Sequence, residues 1–240
     1  MKYSIIIPCY NEEKNIPLII NGFKCIIGNF DIELVLVNNG STDSSERVLK
    51  EKTAGLNFVK VVKVEKNQGY GFGILSGLKQ ATGEYIGWTH GDLQTPPSDV
   101  MKAFKMIEDK GSPKHIYIKG NRKGRSVFDN IFTVGMSIFE SLYLGVGIYD
   151  INAQPNIFHR SFYEKWDNPP HDFSLDLYVY YLAKKFNLDI VRFDVVFPGR
   201  MHGESSWNRG LMSKWKFIKR TIEFSFKLKK SLEHVNEKIS

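Results

Sequence analysis

In the run Thr89-His90-Gly91-Asp92-Leu93-Gln94, an imidazole, a carboxylate and an amide fall at alternate positions. All three side chains can ligate a divalent cation, and magnesium or manganese would leave positions for water and diphosphate oxygens. The same residues also suit a plain turn in which Asp92 caps the chain before Pro96-Pro97. A second candidate is Gly69-Tyr70-Gly71-Phe72-Gly73, a glycine-rich turn opening a helix, where backbone could approach a phosphate closely. Counted from Gly69 or Gly71, the third glycine of a dinucleotide fingerprint falls on Ile74 or Ser76, so that fingerprint is absent, as is a Walker loop. A tight strand-to-helix turn accounts for these glycines without a ligand. The third candidate is basic: Lys119, Arg122, Lys123 and Arg125 precede the apolar stretch Ile131 to Leu144. Such a run is either a solvated face or the cationic rim that a phosphate-headed lipid requires.

These residues need elements to position them. Ser4-Ile5-Ile6-Ile7, ended by Pro8, reads as a strand buried on both faces, the kind found in parallel sheets. A helix over Asn11 to Ile27 follows. Then come a strand at Glu33 to Val37, a helix opened by Ser41-Thr42-Asp43, a strand at Phe58 to Val64, a helix over Gly71 to Ala81 and a strand at Glu84 to Trp88. Alternating strands and helices predict a doubly wound α/β sheet, which binds ligands at the carboxyl ends of its strands. The polar clusters fall at those ends. Beyond a helix over Ser98 to Lys110 the expected order is a strand at His115 to Ile118, a basic loop over Lys119 to Arg125 and a long apolar helix over Phe128 to Leu144. A helix over Asp172 to Phe186 and a strand at Ile190 to Phe197 complete it.

At 240 residues and 42% hydrophobic content, one substantial core with an attached tail is expected. A net charge of +7 favours anionic partners, but the basic residues form no nucleic-acid recognition motif. Cys9 and Cys25, the two cysteines, read as core thiols in a reducing compartment. No signal peptide is evident at the N-terminus, and no stretch reaches the roughly 20 apolar residues that cross a bilayer.

In order, Ser4-Ile5-Ile6-Ile7-Pro8-Cys9-Tyr10-Asn11-Glu12-Glu13, Val37-Asn38-Asn39-Gly40-Ser41-Thr42-Asp43, Asn67-Gln68-Gly69-Tyr70-Gly71 and Gly91-Asp92-Leu93-Gln94-Thr95-Pro96-Pro97 resemble the family 2 glycosyltransferases. Asp-Leu-Gln with Pro-Pro, Gly120-Asn121-Arg122 and the run from Arg200 to Ser205 are most similar to the dolichyl-phosphate mannosyltransferase and polyprenyl-phosphate glycosyltransferase branch. The resemblance spans about residues 1 to 207 and implies a GT-A domain there, with residues 208 to 240 as a basic, aromatic helical segment. It implies that Pro8, Tyr10, Asn11, Glu12, Asn39, Asp43, Gly69 and Gly91 surround the donor nucleotide, and that Asp92 and Gln94, with His90, hold Mn2+ or Mg2+ on its diphosphate. Two departures stand out: Asn39 replaces a usual aspartate, and His90 replaces the first aspartate of the Asp-x-Asp motif.

Arg200, expected with Asp92 and Asp176 among the catalytic residues, and His202 and Ser205 would donate to the diphosphate or the acceptor phosphate, and Arg122 and Arg125 of the basic run are expected at the acceptor. Asp150, Asn152 and Gln154 fall in a loop near the sugar. Asp176 lies where inverting members keep a catalytic carboxylate; a hydroxyl acceptor would need it as base, whereas a lipid phosphate would not. The implied activity is transfer of a sugar from a nucleotide-sugar to a membrane-associated acceptor, a lipid phosphate or a glycan, at the cytoplasmic face of a membrane. A nucleotide-sugar or glycolipid binding protein without activity is the alternative from a different class. Trp215, Ile218, Ile222 and Phe226 fall on one helical face among Lys214, Lys216, Lys219, Arg220, Lys227, Lys229 and Lys230. That pattern suits either an anionic membrane surface or a packed or dimer-forming helix.

Overall fold

The computed structural model describes residues 1–124, 127–196, 215 and 218–230. Strand β1 (Tyr3–Cys9) is apolar at nearly every position because both of its faces are covered. Ile6 joins one core with Val35, Val37, Ile74 and Trp88. Tyr3, Ile5 and Ile7 join the other with Phe23, Leu34, Leu36 and Phe104. The remaining elements follow as α1 (Ile16–Ile26), β2 (Ile32–Asn39), α2 (Ser45–Thr53), β3 (Val59–Val64), α3 (Tyr70–Gln80), β4 (Tyr85–Trp88), α4 (Pro97–Asp109), β5 (Ile116–Lys123), α5 (Val127–Leu144), β6 (Asn156–His159), α6 (Arg160–Tyr163), α7 (Leu175–Lys185) and β7 (Asp189–Val196). The seven-stranded sheet has the order β3-β2-β1-β4-β6-β5-β7. All pairings are parallel except those of β6, which runs antiparallel to both β4 and β5. Helices cover both faces, as the βαβ rhythm predicts.

The structure departs from expectation at four places. Helix α1 starts at Ile16, because the residues after β1 are strapped to the exit of β2. Strand β6 is not foreseen; its four residues, between Pro155 and α6, are too few to show a period. The expected basic loop is the second half of β5, paired with β7 as far as Lys123 and Val196. The strand is covered on both faces from Ile116 to Gly120, so Lys119, on the same face as Tyr117, is fully buried. Cys25, in the last turn of α1, is exposed, whereas Cys9 is buried.

Residues 218–230 are helical. Thr221, Ser225 and Leu228 face inward, and Ser225 Oγ lies 2.6 Å from Oε2 of the buried Glu140 on α5. Trp215 and Phe226 on the expected apolar face are exposed. Among the described residues, no helix is long and apolar enough to cross a membrane.

Candidate active site

The exits of β1 and β2 are stitched together by side chains. Asn11, with φ of 56°, accepts Thr42 N–H through Oδ1 at 2.8 Å and donates its own N–H to Ser41 Oγ at 3.1 Å. Glu12 N–H donates to Ser45 Oγ and Glu13 N–H to Asp43 Oδ2, while Asp43 Oδ1 accepts from Ser45 N–H. These bonds gather Asn11, Glu12 and Asp43 at one rim of the sheet, beside the half-exposed Tyr10. Gly91 approaches β1 so closely that a Cβ there would lie 2.9 Å from Pro8 O.

Asn39 is buried, and its Nδ2 donates to Gly69 O at 3.0 Å. An aspartate could not make that bond, so the departure at this position ties β2 to the glycine-rich turn. Asn39 Oδ1 is buried without a hydrogen-bond partner among the described residues. The turn itself is explained by backbone contact. A Cβ on Gly69 would meet His171 O at 2.5 Å, and one on Gly71 would meet Pro170 O at 2.5 Å and Asp172 O at 2.7 Å. Phe72 N–H donates to His171 O, and Tyr70 stacks on Phe173 at 4.6 Å. The glycines of this turn serve to let the segment before α7 lie on the start of α3.

Asp92 leaves the end of β4 nearly buried, its Oδ1 accepting Gln94 N–H at 3.1 Å across Leu93, whose φ is 60°. The turn-forming reading of Asp92 is met by this bond. The His90 ring lies 6.0 Å from that of Tyr70. Among the described residues, no three His, Cys, Asp or Glu side chains form a metal-holding group. A cation held by one or two carboxylates and substrate phosphates does not need such a group. Asp92, His90 and Gln94 fit that donor set.

Beneath the turn lies a polar cluster largely absent from the sequence reading. Asp176, 1% exposed, accepts on Oδ1 from Trp88 Nε1 at 3.2 Å, Gln154 Nε2 at 3.1 Å and Asn156 Nδ2 at 3.2 Å. Lys119 Nζ donates to Ala153 O and Asn156 Oδ1, each at 2.8 Å, and faces the Tyr180 ring at 5.4 Å. Burial pushes the Asp176 carboxyl above its ordinary range and the Lys119 ammonium below its own; each charge partly offsets the other's shift. Lys119 had one legible signal, a lone charge in phase with the inward positions of an apolar strand.

Of the residues expected at sugar or acceptor, Asp150 is buried and paired with Arg122 through Nε and Nη2, with Arg192 Nη2 3.8 Å away. Burial alone would raise this carboxyl, but the Arg122 guanidinium outweighs it and holds it below its ordinary value. Gln154 is buried with both amide protons engaged, on Tyr70 Oη and Asp176. Asn152 is half-buried. Arg125, Arg200, His202 and Ser205 lie outside the described residues.

Known proteins share both the fold and the pattern. Glucosyl-3-phosphoglycerate synthase from Mycobacterium tuberculosis, solved with Mn2+, uridine diphosphate and glucosyl-3-phosphoglycerate, superposes with a TM-score of 0.66 at 17% identity, covering 89% of this chain and 76% of that one. The shared architecture is GT-A. An undecaprenyl-phosphate 4-deoxy-4-formamido-L-arabinose transferase of Pseudomonas fluorescens (strain Pf0-1) is 33% identical over 124 residues, 50% of this chain and 36% of the relative. Its counterpart in Proteus mirabilis (strain HI4320) is 32% identical over 112 residues, 45% and 34% of the two chains. The match thus spans about a third of the length of these relatives. The family model described as Glycosyl transferase family 2 matches residues 4–167, from β1 through the His90–Asp92 turn to the end of β6 and beyond. With its strand-end clusters gathered at one edge of a GT-A sheet and matched in one continuous stretch, this chain belongs to glycosyl transferase family 2.

Proposed function

We propose that the chain transfers a sugar from a nucleoside diphosphate donor to a polyprenyl phosphate, with inversion, at the cytoplasmic face of a membrane. The joining of the β1 and β2 exits, with Gly91 of the β4 exit packed on Pro8, carries this reading. Pro8, Tyr10, Asn11, Glu12, Asn39 and Asp43 would frame the base and ribose, with Gly69 and Gly91 allowing close approach. Asp92, with His90 and Gln94, would hold Mn2+ or Mg2+, which when bound stabilises the negative charge accumulating on the departing diphosphate. Arg122, Arg125, Arg200, His202 and Ser205 are assigned to phosphate and Asn152 to the sugar. Residues 1–207 form the catalytic domain and 208–240 its membrane-facing segment.

Two observations support a lipid phosphate acceptor. The relatives named above are undecaprenyl-phosphate transferases. In addition, α5 exposes Ile131, Val134, Ile138 and Leu142 along one face, and the C-terminal helix that packs on α5 carries exposed lysines. A phosphate acceptor is ionised at neutral pH and needs no protein base, which agrees with an Asp176 engaged in three hydrogen bonds. The test is product analysis by mass spectrometry after incubating the chain with Mn2+, UDP- and GDP-sugars, and undecaprenyl phosphate in detergent. A lipid-linked sugar is expected. Product only on added glycan hydroxyls would move Asp176 into the role of base, and binding of donor without product would make the chain a binding protein.

A further inference from the structure

The cluster beneath the turn contains a chain of side-chain amides with only one consistent orientation. Lys119 Nζ can only donate, and it lies 2.8 Å from Asn156 Oδ1; Tyr117 Oη lies 2.6 Å from the same oxygen. With Oδ1 committed, Asn156 Nδ2 faces Gln154 Oε1 at 2.8 Å and Asp176 Oδ1 at 3.2 Å. Gln154 Nε2 then faces Asp176 Oδ1 and Tyr70 Oη, each at 3.1 Å. An ammonium at one end and a carboxylate at the other fix the amides between them.

Tyr70 Oη therefore accepts on its inner side, where the Trp88 indole also stands. Its proton has no hydrogen-bond acceptor among the described residues. The ring is clamped by stacking on Phe173 and lies beside His90, and the hydroxyl sits within electrostatic reach of both Asp176 and Asp92. Burial, and then these carboxylates, keep the phenol protonated.

We propose that Tyr70 binds the sugar of the donor: Lys119, acting through Asn156 and Gln154, leaves the phenolic proton free to donate to a sugar hydroxyl beside the His90–Asp92 turn. Gln154, whose own amide is consumed, is a positioning residue, and so is Lys119. The inference rests on the proposed reading that a nucleotide-sugar binds at this turn.

Calorimetric titration with UDP-glucose and GDP-mannose, and with UDP and GDP as sugarless controls, tests it in the presence of Mn2+. Tyr70→Phe should weaken binding of whichever sugar nucleotide the wild type takes by about five- to tenfold, the worth of one hydrogen bond, and leave the sugarless nucleotide unchanged. In a Lys119→Met background, Tyr70→Phe should cost nothing further, because the amide chain no longer directs the hydroxyl. Should Lys119→Met not fold, as judged by thermal unfolding, Gln154→Met breaks the same chain one link nearer Tyr70. Unchanged affinity in Tyr70→Phe, equal losses with and without the sugar, or additive effects of the two substitutions would overturn the inference. A wild type that binds neither sugar nucleotide would instead overturn the reading on which it rests.

Discussion

Asp176, in the proposed reaction, is a carboxylate that organises the site without entering the chemistry. Its Oδ1 receives an indole and two amide donors, and hydrogen bonds to a charged group are worth about 1.5–3 kcal/mol each. Asp176→Asn keeps an acceptor oxygen but reduces these bonds to neutral ones, and should lower stability by about 2–3 kcal/mol, measured by chemical denaturation. Turnover per folded molecule should fall less than about tenfold. A fall of about 10²–10⁴ with unchanged stability would be the signature of a general base and would favour a hydroxyl acceptor. Asp92 was legible as a candidate from its place after a buried strand. Lys119 carried only a weak signal, because a charge inside a basic run reads as solvated until the strand is seen to be buried on both faces. Asn39 misled in another way: loss of a charge was visible in the sequence, but its bond to Gly69 O was not.

Elements fix these residues through contacts that sequence patterns do not carry. The βαβ half was readable because each buried strand ends in a polar turn. Strand β6 escaped because four residues have no measurable period, yet it delivers Asn156 to Lys119 and Asp176. The contact between α5 and the C-terminal helix has a consequence for pH. Glu140 is fully buried against Ser225, with Oε1 unpartnered among the described residues. Burial lifts its carboxyl from an ordinary 4.5 to about 7 against the opposing bond from Ser225. Between these values the folded chain keeps a proton that the unfolded chain has released, so stability is lost as pH rises from about 4.5 through about 7. Glu140→Gln should remove this slope. Wild type and variant should melt at similar temperatures near pH 4.5, and the variant should melt several degrees higher at pH 8. Parallel melting curves across that range would place the proton elsewhere.

For the whole molecule, the question is how a sheet-edge site meets its acceptor. Phe226 packs on Tyr143 of α5 at 4.8 Å, and Lys229 Nζ lies 4.7 Å from the same ring. The C-terminal helix thus packs on the Glu140 and Tyr143 side of α5 and leaves the face of Ile131, Val134, Ile138 and Leu142 uncovered, Leu142 being 80% exposed. The sequence offered two apolar faces, Ile131 to Leu144 and the C-terminal helix; the exposed apolar residues on α5 outnumber those on the C-terminal helix among the described residues. Vesicles rich in phosphatidylglycerol should sediment with the wild type at low salt and less at high salt. Ile138→Asp with Leu142→Asp should abolish co-sedimentation with little change in melting temperature, since both side chains are exposed. All of this depends on the donor binding at the His90–Asp92 turn, and Mn2+ titration followed by electron paramagnetic resonance, with and without UDP or GDP, tests that most directly. The account predicts Mn2+ binding that tightens with the nucleoside diphosphate and is lost in Asp92→Asn; equal binding by wild type and variant would contradict it.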